Sequence, residues 1–111
     1  MGKFVIDTRK NGDLHFNLKA GNGQVILSSQ GYSSKDGCLN GIESVKKNAA
    51  DESKFEKSVS SNGKFYFNLK AGNGQIIGSS EMYESEASRD NGIASVQKNA
   101  PDASVEEAPA E

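Results

Sequence analysis

The sequence predicts an α+β fold made of two tandem β-β-β-α repeats packed with pseudo-twofold symmetry. The first observation is an internal repeat, because the nine residues Phe16–Gln24 recur unchanged 51 positions later as Phe67–Gln75. The second is that each copy shows a period-two alternation followed by a helical stripe. The third is length, since halves of a 111-residue chain are too short to bury a core alone. We therefore expect antiparallel strands from both copies to share one sheet, with one helix per repeat.

Three strands are predicted at the start of the first repeat. Phe4 to Thr8 is a short β-branched run, Leu14 to Ala20 alternates apolar with polar residues, and Gln24 to Ser28 follows a second turn. The turns at Asn11-Gly12 and Asn22-Gly23, like their copies, predict type I′ geometry. The second copy keeps the alternation, with inner Phe65, Phe67, Leu69 and Ala71 and outer Tyr66, Asn68 and Lys70.

A helix follows the strands in each copy. Ser33 or Ser34 is expected to cap a helix that runs to about Asn48. Its apolar stripe is predicted at Cys38, Ile42 and Val45, and in the second copy at Ile93 and Val96. Asn48 and Asn99 stand where a left-handed residue often ends a helix.

Two further positions raise questions about packing. Gly41 and its copy Gly92 lie inside the predicted helices, where glycine costs about 1 kcal/mol relative to alanine. We interpret them as places where the backbone passes close to the sheet or the partner helix. In the third strand, Ile26 is favoured as the inward residue because it matches Ile77, whereas Leu27 matches Gly78.

The expected organisation is a single domain, residues 1–101, composed of repeat 1 (1–51) and repeat 2 (52–101). Residues 102–111 are expected to form a disordered acidic tail because large apolar residues are scarce there. Subtracting the tail's four acids from the formal net charge of -2 leaves +2 for the rest of the chain. An anionic partner therefore stays compatible with the folded part.

Composition excludes several classes of protein. No apolar run approaches the roughly 20 residues that a membrane span requires, so no membrane partner is expected. A single cysteine cannot form an internal disulfide, and an acid at position 7 interrupts any signal peptide, which together favour a cytoplasmic protein.

Catalytic and metal-binding groups are scarce in the sequence. His15 and Cys38 are unique, and their partner positions hold Tyr66 and Arg89, so neither belongs to anything the duplicated unit does twice. Their expected faces point apart, which argues against a Cys–His pair. No His-x-His or Cys-x-x-Cys spacing indicates a metal, and no cofactor motif is present. We therefore expect a protein that is not an enzyme, with no catalytic residue, metal or cofactor.

The repeated outward residues form the candidate binding surface. A sheet face of asparagine, lysine and tyrosine can bind single-stranded nucleic acid by phosphate pairing and stacking, although the same residues also suit a plain solvated face. The residues are Asn17, Lys19, Tyr66, Asn68 and Lys70 on the strands, with Tyr32 and Tyr83 at the strand-to-helix junctions.

The glycine-rich loops admit two interpretations. They are turns, or they are backbone nests that bind an anion near Lys19 and Lys70. The turn interpretation is favoured because the loops precede strands and lack the Gly-Lys-Ser/Thr ending of a phosphate-binding loop. The loops are Gly21-Asn22-Gly23 and Gly72-Asn73-Gly74.

These motifs resemble the YegP-like family of small uncharacterised bacterial proteins. The resemblance rests on the paired Phe-Asn-Leu-Lys-Ala-Gly-Asn-Gly-Gln stretches, Ser-Ser-x-x-Tyr and Asn-Gly-Ile-x-Ser-Val, and covers roughly residues 2 to 101. It implies two β-rich units, each with a helix, that share a sheet, and a bacterial cytoplasmic setting. It implies no activity and no site residues. The chain departs from the pattern at Lys57 and Gly78, where the first copy has Ile6 and Leu27.

The function is not given by the sequence. Our leading hypothesis is a non-enzymatic binding or interaction module that uses the repeated Asn/Lys/Tyr face. One alternative is a binder of single-stranded nucleic acid or an anionic ligand on the same face, and another is a small-molecule pocket or enzyme at the repeat interface. The chain is expected to be a monomer with a pseudo-dimeric fold.

Overall fold

The computed structural model describes residues 2–107, which form a mixed seven-stranded sheet in the order β4-β5-β6-β3-β2-β1-β7. Both helices pack on one face of this sheet, and neither has the length and apolar character to cross a bilayer. The α+β class and the two β-β-β-α repeats are confirmed. The elements are β1 Lys3–Thr8, β2 Leu14–Lys19, β3 Val25–Ser28, α1 Lys35–Asn48, a 3-10 turn Glu52–Lys54, β4 Phe55–Val59, β5 Phe65–Lys70, β6 Ile76–Ser79, α2 Glu86–Asn99 and β7 Ser104–Glu107.

The alternation in the second strand of each repeat separates the two faces of the sheet as predicted. Phe16 and Leu18 are fully buried, as are Phe67 and Leu69 in the second repeat. Each pair points toward the helices, while the asparagine between them points to the opposite face. We call these the inner and outer faces of the sheet.

Both helices begin at a serine cap. Ser34 Oγ accepts a hydrogen bond from Gly37 N at 3.0 Å, and Ser85 Oγ accepts one from Ser88 N at 3.1 Å. The left-handed ends predicted at Asn48 and Asn99 are wrong, since among residues 2–107 only glycines have positive φ. The two asparagine amides instead donate back to the Ser44 and Ser95 carbonyls.

The four Asn-Gly turns of the hairpins are not type I′. Gly12, Gly23, Gly63 and Gly74 have φ between 82° and 90°, but the asparagines before them do not have positive φ. In the second turn, Gly23 N donates to the Ala20 carbonyl and Ala20 N donates to the Gln24 carbonyl, both at 2.9 Å. This is a type I turn followed by a left-handed glycine, which joins strands through a three-residue loop.

A tyrosine explains the repeated glycine inside each helix. A methyl group built on Gly41 would lie 2.7 Å from Tyr32 Cζ, and one on Gly92 would lie 2.8 Å from Tyr83 Cζ. The rings stack on Phe16 and Phe67 at centroid distances of 6.1 and 6.5 Å. The close approach was predicted, but the neighbour is a tyrosine of the same repeat.

Only one large side chain fits where the two repeats meet. β3 and β6 pair at Ser28 and Ser79, so the pseudo-twofold axis passes between them. Leu27 is fully buried on the inner face, opposite Leu18, and a methyl group on Gly78 would lie 2.8 Å from its Cγ. Ile26 is also in the core, because a bulge in β3 adds a residue there. The preference for Ile26 over Leu27 is therefore wrong as an exclusive choice.

The prediction of a disordered tail from residue 102 is wrong for Ser104–Glu107, which form β7. This strand pairs in parallel with β1, from Lys3 opposite Ser104 to Ile6 opposite Glu107. Composition misleads here because all four residues stay exposed, so the strand requires backbone hydrogen bonds rather than buried surface. Lys3 pairs with Glu106 at 3.2 Å and Lys35 pairs with Glu107. Residues 108–111 of the expected tail lie outside the described part of the chain.

Substituting Gly41 by alanine is expected to destabilise the protein by about 1–3 kcal/mol, because the added methyl group overpacks Tyr32. At an ordinary helical position the same change stabilises by about 1 kcal/mol. The matched control is Gly72→Ala, since a methyl group there meets nothing within 4 Å. Urea denaturation measures the free energy of unfolding of both variants. A Gly41→Ala variant as stable as the Gly72→Ala variant would contradict the packing role.

Exchanging the residues at the pseudo-twofold axis gives a second test. Leu27→Gly is expected to cost about 2–5 kcal/mol through the cavity it leaves, and Gly78→Leu about 1–3 kcal/mol through overpacking. The double exchange, Leu27→Gly with Gly78→Leu, is expected to recover most of that loss, since one leucine again fills the same space. A double variant as unstable as the sum of the singles, by denaturation midpoint, would show that the position is not shared.

Candidate functional site

A row of polar side chains crosses the outer face over four central strands. Asn17 on β2 lies opposite Ser28 on β3, Ser28 opposite Ser79 on β6, and Ser79 opposite Asn68 on β5. Each serine donates to the asparagine of its own repeat, with Oγ to Oδ1 distances of 2.7 Å. The row is therefore symmetric at its centre, and each amide oxygen is already an acceptor.

The two ends of this row differ. Asn68 lies opposite Glu56 on β4, whereas Asn17 lies opposite Val5 on β1. Lys70 donates to Glu56 at 2.8 Å, and this hydrogen bond and charge, with a smaller contribution from Asn68, lower the pKa of the Glu56 carboxyl. In the second repeat one carboxylate thus engages both the lysine and the asparagine.

Among the described residues, none plays that part in the first repeat. Within residues 2–107 no acid pairs with Lys19, and the Asn17 amide nitrogen has no acceptor. Lys3 lies opposite Lys19 on β1 and is paired with Glu106 of β7. Residue 19 therefore presents an uncompensated ammonium, next to an amide N–H with unused donor capacity. We call Asn17 and Lys19 the open end of the row.

His15 and Tyr66 occupy equivalent outer positions. His15 Nδ1 accepts a hydrogen bond from Arg9 Nε at 3.3 Å, so the first repeat has a second cation close to this face. Tyr66 lies opposite Ser58 on β4 and is partly buried. Tyr66 is the aromatic side chain of the predicted surface that lies on the same face of β5 as Asn68 and Lys70.

The structure does not bring Tyr32 and Tyr83 to this face. Both stack on inner-face phenylalanines, and their hydroxyl groups touch helical glycines. Burial raises the pKa of both phenols, as expected for rings held against the core. Five of the seven predicted side chains thus share the outer face and two lie on the opposite side.

The glycine-rich loops use their own amides. Gly23 N bonds the Ala20 carbonyl and Gln24 N bonds the Asn22 side chain, so these N–H groups do not converge on an external site. The second loop repeats the pattern through Gly74 and Gln75. These contacts favour the turn interpretation over an anion-binding nest for Gly21-Asn22-Gly23 and Gly72-Asn73-Gly74.

The candidate catalytic groups stay apart. Cys38 is buried on the side of α1 that faces the sheet, and this burial raises the pKa of its thiol. His15 lies on the outer face of the sheet. Ser29 and Ser80 accept hydrogen bonds from the backbone nitrogens of Phe16 and Phe67. Residues 2–107 contain no group of three or more histidine, cysteine or acidic side chains placed to hold a metal ion.

An open groove of about 460 Å³ lies at the repeat interface, between α1 and the β5–β6 turn. Glu43 and Lys47 line its helical side and Asn73 lines its turn side. The interface pocket predicted near Gly41 and Gly92 differs from this groove, since tyrosine rings fill the space beside those glycines.

For the polar row, the sequence signal that was missed is the difference between Val5 and its repeat counterpart Glu56, which makes the two ends of the row unequal.

Comparison with known proteins identifies the family. The model of a domain of unknown function, DUF1508, matches residues 10–56 and again residues 60–107. The chain is 58% identical to a UPF0339 protein from the 5′ region of the ptx operon of Stutzerimonas stutzeri, over 96% of each chain. It is 52% identical to the UPF0339 protein YegP of Escherichia coli K12, over 88% of this chain and 89% of that one.

Two solution NMR structures share the fold. A UPF0339 protein from Shewanella oneidensis aligns with a TM-score of 0.90 at 49% identity, covering 96% of this chain and 90% of that one. Escherichia coli YegP, described as a protein of unknown function, aligns with a TM-score of 0.91 at 49% identity, covering 96% and 91%. The chain belongs to the UPF0339 (YegP) family, the uncharacterised proteins that carry DUF1508 as two repeats.

Proposed function

We propose that the protein is a non-enzymatic binding module that holds an anionic ligand at the open end of the polar row. One observation carries this proposal: Lys70 is neutralised by Glu56, whereas its exact repeat counterpart Lys19 has no acid partner within residues 2–107. The identical lysines of a duplicated unit therefore have different electrostatic roles. Lys19 is the one placed to attract an anion.

The chemistry at the open end suits an oxyanion. The ammonium of Lys19 supplies charge, the free N–H of Asn17 supplies a directional donor, and the strands hold both groups at fixed spacing on a rigid sheet. Lys19 is also partly buried, so its field is screened less than that of a fully exposed lysine. The ligand class that follows is a phosphate or carboxylate group.

Single-stranded nucleic acid is the second candidate, and Tyr66 is the observation that favours it. A strand crossing the sheet along the polar row would place phosphate at Lys19 and bring a base to the Tyr66 ring. A single aromatic residue on this face offers one stacking platform, which is fewer than most single-strand binders use. We therefore rank the isolated anionic ligand above nucleic acid.

A matched pair of variants tests the proposal. Lys19→Met is expected to weaken binding of a single-stranded oligothymidylate about five- to tenfold in 50 mM salt, while Lys70→Met changes it less than twofold. Loss of one phosphate contact should also reduce the slope of log K against log salt by about 0.7. Fluorescence anisotropy across a salt series measures both quantities, and inorganic tripolyphosphate, as a competitor, separates anion recognition from base stacking.

Two results decide the ranking, and two others would refute the proposal. Competition by tripolyphosphate with the same Lys19 dependence supports the isolated anion, and a tenfold loss in Tyr66→Ala supports nucleic acid. Equal losses in Lys19→Met and Lys70→Met, or binding without salt dependence, would refute the role of the open end. Both variants remove one exposed or partly exposed charge, so their folding stability should match the unmodified protein within about 1 kcal/mol.

We further propose the setting in which this module works. A single buried cysteine fits a reducing cytoplasm, and the sharing of one sheet by both repeats supports a single domain, which includes β7 and therefore extends past the expected boundary at residue 101 to residue 107. The pseudo-twofold packing supports a monomer, because each repeat already has its partner within the chain.

A further inference from the structure

The outermost strand of the second repeat has an edge that no other strand within residues 2–107 occupies. In the described part of the chain, β4 has β5 as its single neighbour in the sheet, whereas its repeat counterpart β1 has β2 on one side and β7 on the other. The positions outside β1 and β4 are equivalent under the 51-residue repeat. Among the described residues, a strand fills the first and none fills the second.

Backbone hydrogen bonds show which peptide groups face this edge. The Phe65 N–H and carbonyl both bond the backbone of Tyr83. The Phe67 carbonyl accepts from Ser80 N, and the Phe67 N–H donates to Ser80 Oγ. Their partners across the β4–β5 pair, Val59 and Lys57, therefore turn their peptide groups away from β5. β4 thus presents the same alternate groups that β1 presents to β7.

We propose that β4 binds an extended segment of a partner protein as an eighth strand, parallel to β4, with the inner-face pattern apolar-x-acidic-x-apolar. β7 on β1 is the example within the molecule. There Val105 lies opposite Phe4 and Glu107 lies opposite Ile6, where it pairs with Lys35 of α1. An apolar residue followed two positions later by an acid is therefore a strand that this fold already accepts.

The inner face of β4 specifies the same order of side chains. Phe55 is the repeat counterpart of Phe4, but it is 7% exposed, whereas Phe4 is 0% exposed. An apolar side chain on an added strand would cover this remaining surface of Phe55. Lys57 replaces Ile6 and provides a cation directly opposite the acid, in place of Lys35. Val59 is 58% exposed at the end of the strand and suits a second apolar residue.

The outer face of β4 sets the intervening positions. Lys54 is the counterpart of Lys3, which pairs with Glu106 in the first repeat. Glu56 replaces Val5 and is already bonded to Lys70, so a residue opposite it should not be acidic. A neutral β-former such as threonine satisfies this position.

Lys57 makes the edge selective as well as receptive. A lysine on an edge strand discourages pairing with generic apolar or basic strands, and an acid opposite it removes that penalty. Lys57 contacts Asp90 at 3.3 Å, but Asp90 also pairs with Arg89 at 3.3 Å, so one carboxylate is shared between two cations, unlike Glu56, which within residues 2–107 pairs with Lys70 alone. The Lys57 side chain stays 45% exposed. The ammonium group can therefore reach an incoming carboxylate.

The test uses the full chain, labelled with ¹⁵N, and two synthetic probes. The first is acetyl-Val-Thr-Glu-Thr-Val-amide and the second is the same peptide with lysine in place of glutamate. We expect the glutamate peptide to shift the amide signals of residues 55–59 and to bind at least fivefold tighter than the lysine peptide, the effect of reversing one cross-strand charge. Residues 3–8 of β1 serve as the internal reference and should not shift.

Orientation and charge give two independent checks. A nitroxide on the peptide's N-terminus should broaden Phe55 more than Val59, since the strands are parallel. In Lys57→Glu the preference should reverse in favour of the lysine peptide, and circular dichroism confirms that this variant is folded. Because the two peptides are compared on the unmodified protein as well, the test stands even where the variant fails to fold.

Several outcomes would overturn the proposal. They are shifts confined to residues 3–8, which would mean displacement of β7, equal binding of both peptides, and broadening centred on Val59. Concentration-dependent dimerisation in sedimentation velocity that removes the peptide response would assign the edge to a second copy of the chain. None of these results depends on Lys19, so the proposed anion site is tested separately.

Discussion

Neither repeat can cover the inner face of its own three strands, and the architecture follows from this constraint. α1 contacts β2 of its own repeat and also β5 and β6 of the other, while α2 contacts β5 and reaches β3. Each helix therefore closes part of the partner's core. β3 and β6 must meet at the pseudo-twofold axis for this exchange to occur, and Leu27 over Gly78 is what allows them to approach. The axis is thus asymmetric in sequence because two identical large residues would compete for one space.

The same symmetry explains why the sheet has seven strands. The family model matches residues 10–56 and 60–107, so each match ends in or after the strand that follows a helix. After α1 that strand is β4, which takes the place beside β5. After α2 the equivalent place beside β2 is already held by β1, and β7 adds outside it. An odd strand number is the consequence of joining two copies in one open chain.

Local sequence signals predicted most of the fold because they report on local physics. Alternation places Phe16 and Phe67 inside, serine caps begin both helices, and the Asn-Gly pairs mark the hairpins. What sequence reasoning missed depends on long-range partners. The turn type follows from the strand pairing, the reason for Gly41 is the Tyr32 ring, and β7 exists because β1 offers an edge, although its own composition resembles disorder. The outer-face position was predicted correctly for five of the seven candidate side chains. It was not predicted that the two strand-to-helix tyrosines lie on the inner face, because their segment crosses to the core.

The two repeats also show how structural and chemical roles separate in a duplicated chain. Identity between copies at first favours the repeated outward residues as a binding surface. In the structure most repeated polar side chains form hydrogen bonds within the protein. Ser29 and Ser80 bond backbone N–H groups, Asn22 and Asn73 accept bonds within their turns, and Ser28 and Ser79 bond the central asparagines. Positions where the copies differ are the ones that change the chemistry. Val5 against Glu56 decides which lysine is free, and Ile6 against Lys57 decides which sheet edge is charged. Repetition in this chain therefore identifies most of what holds the fold together, and departures from repetition away from the pseudo-twofold axis identify where each half can bind something different.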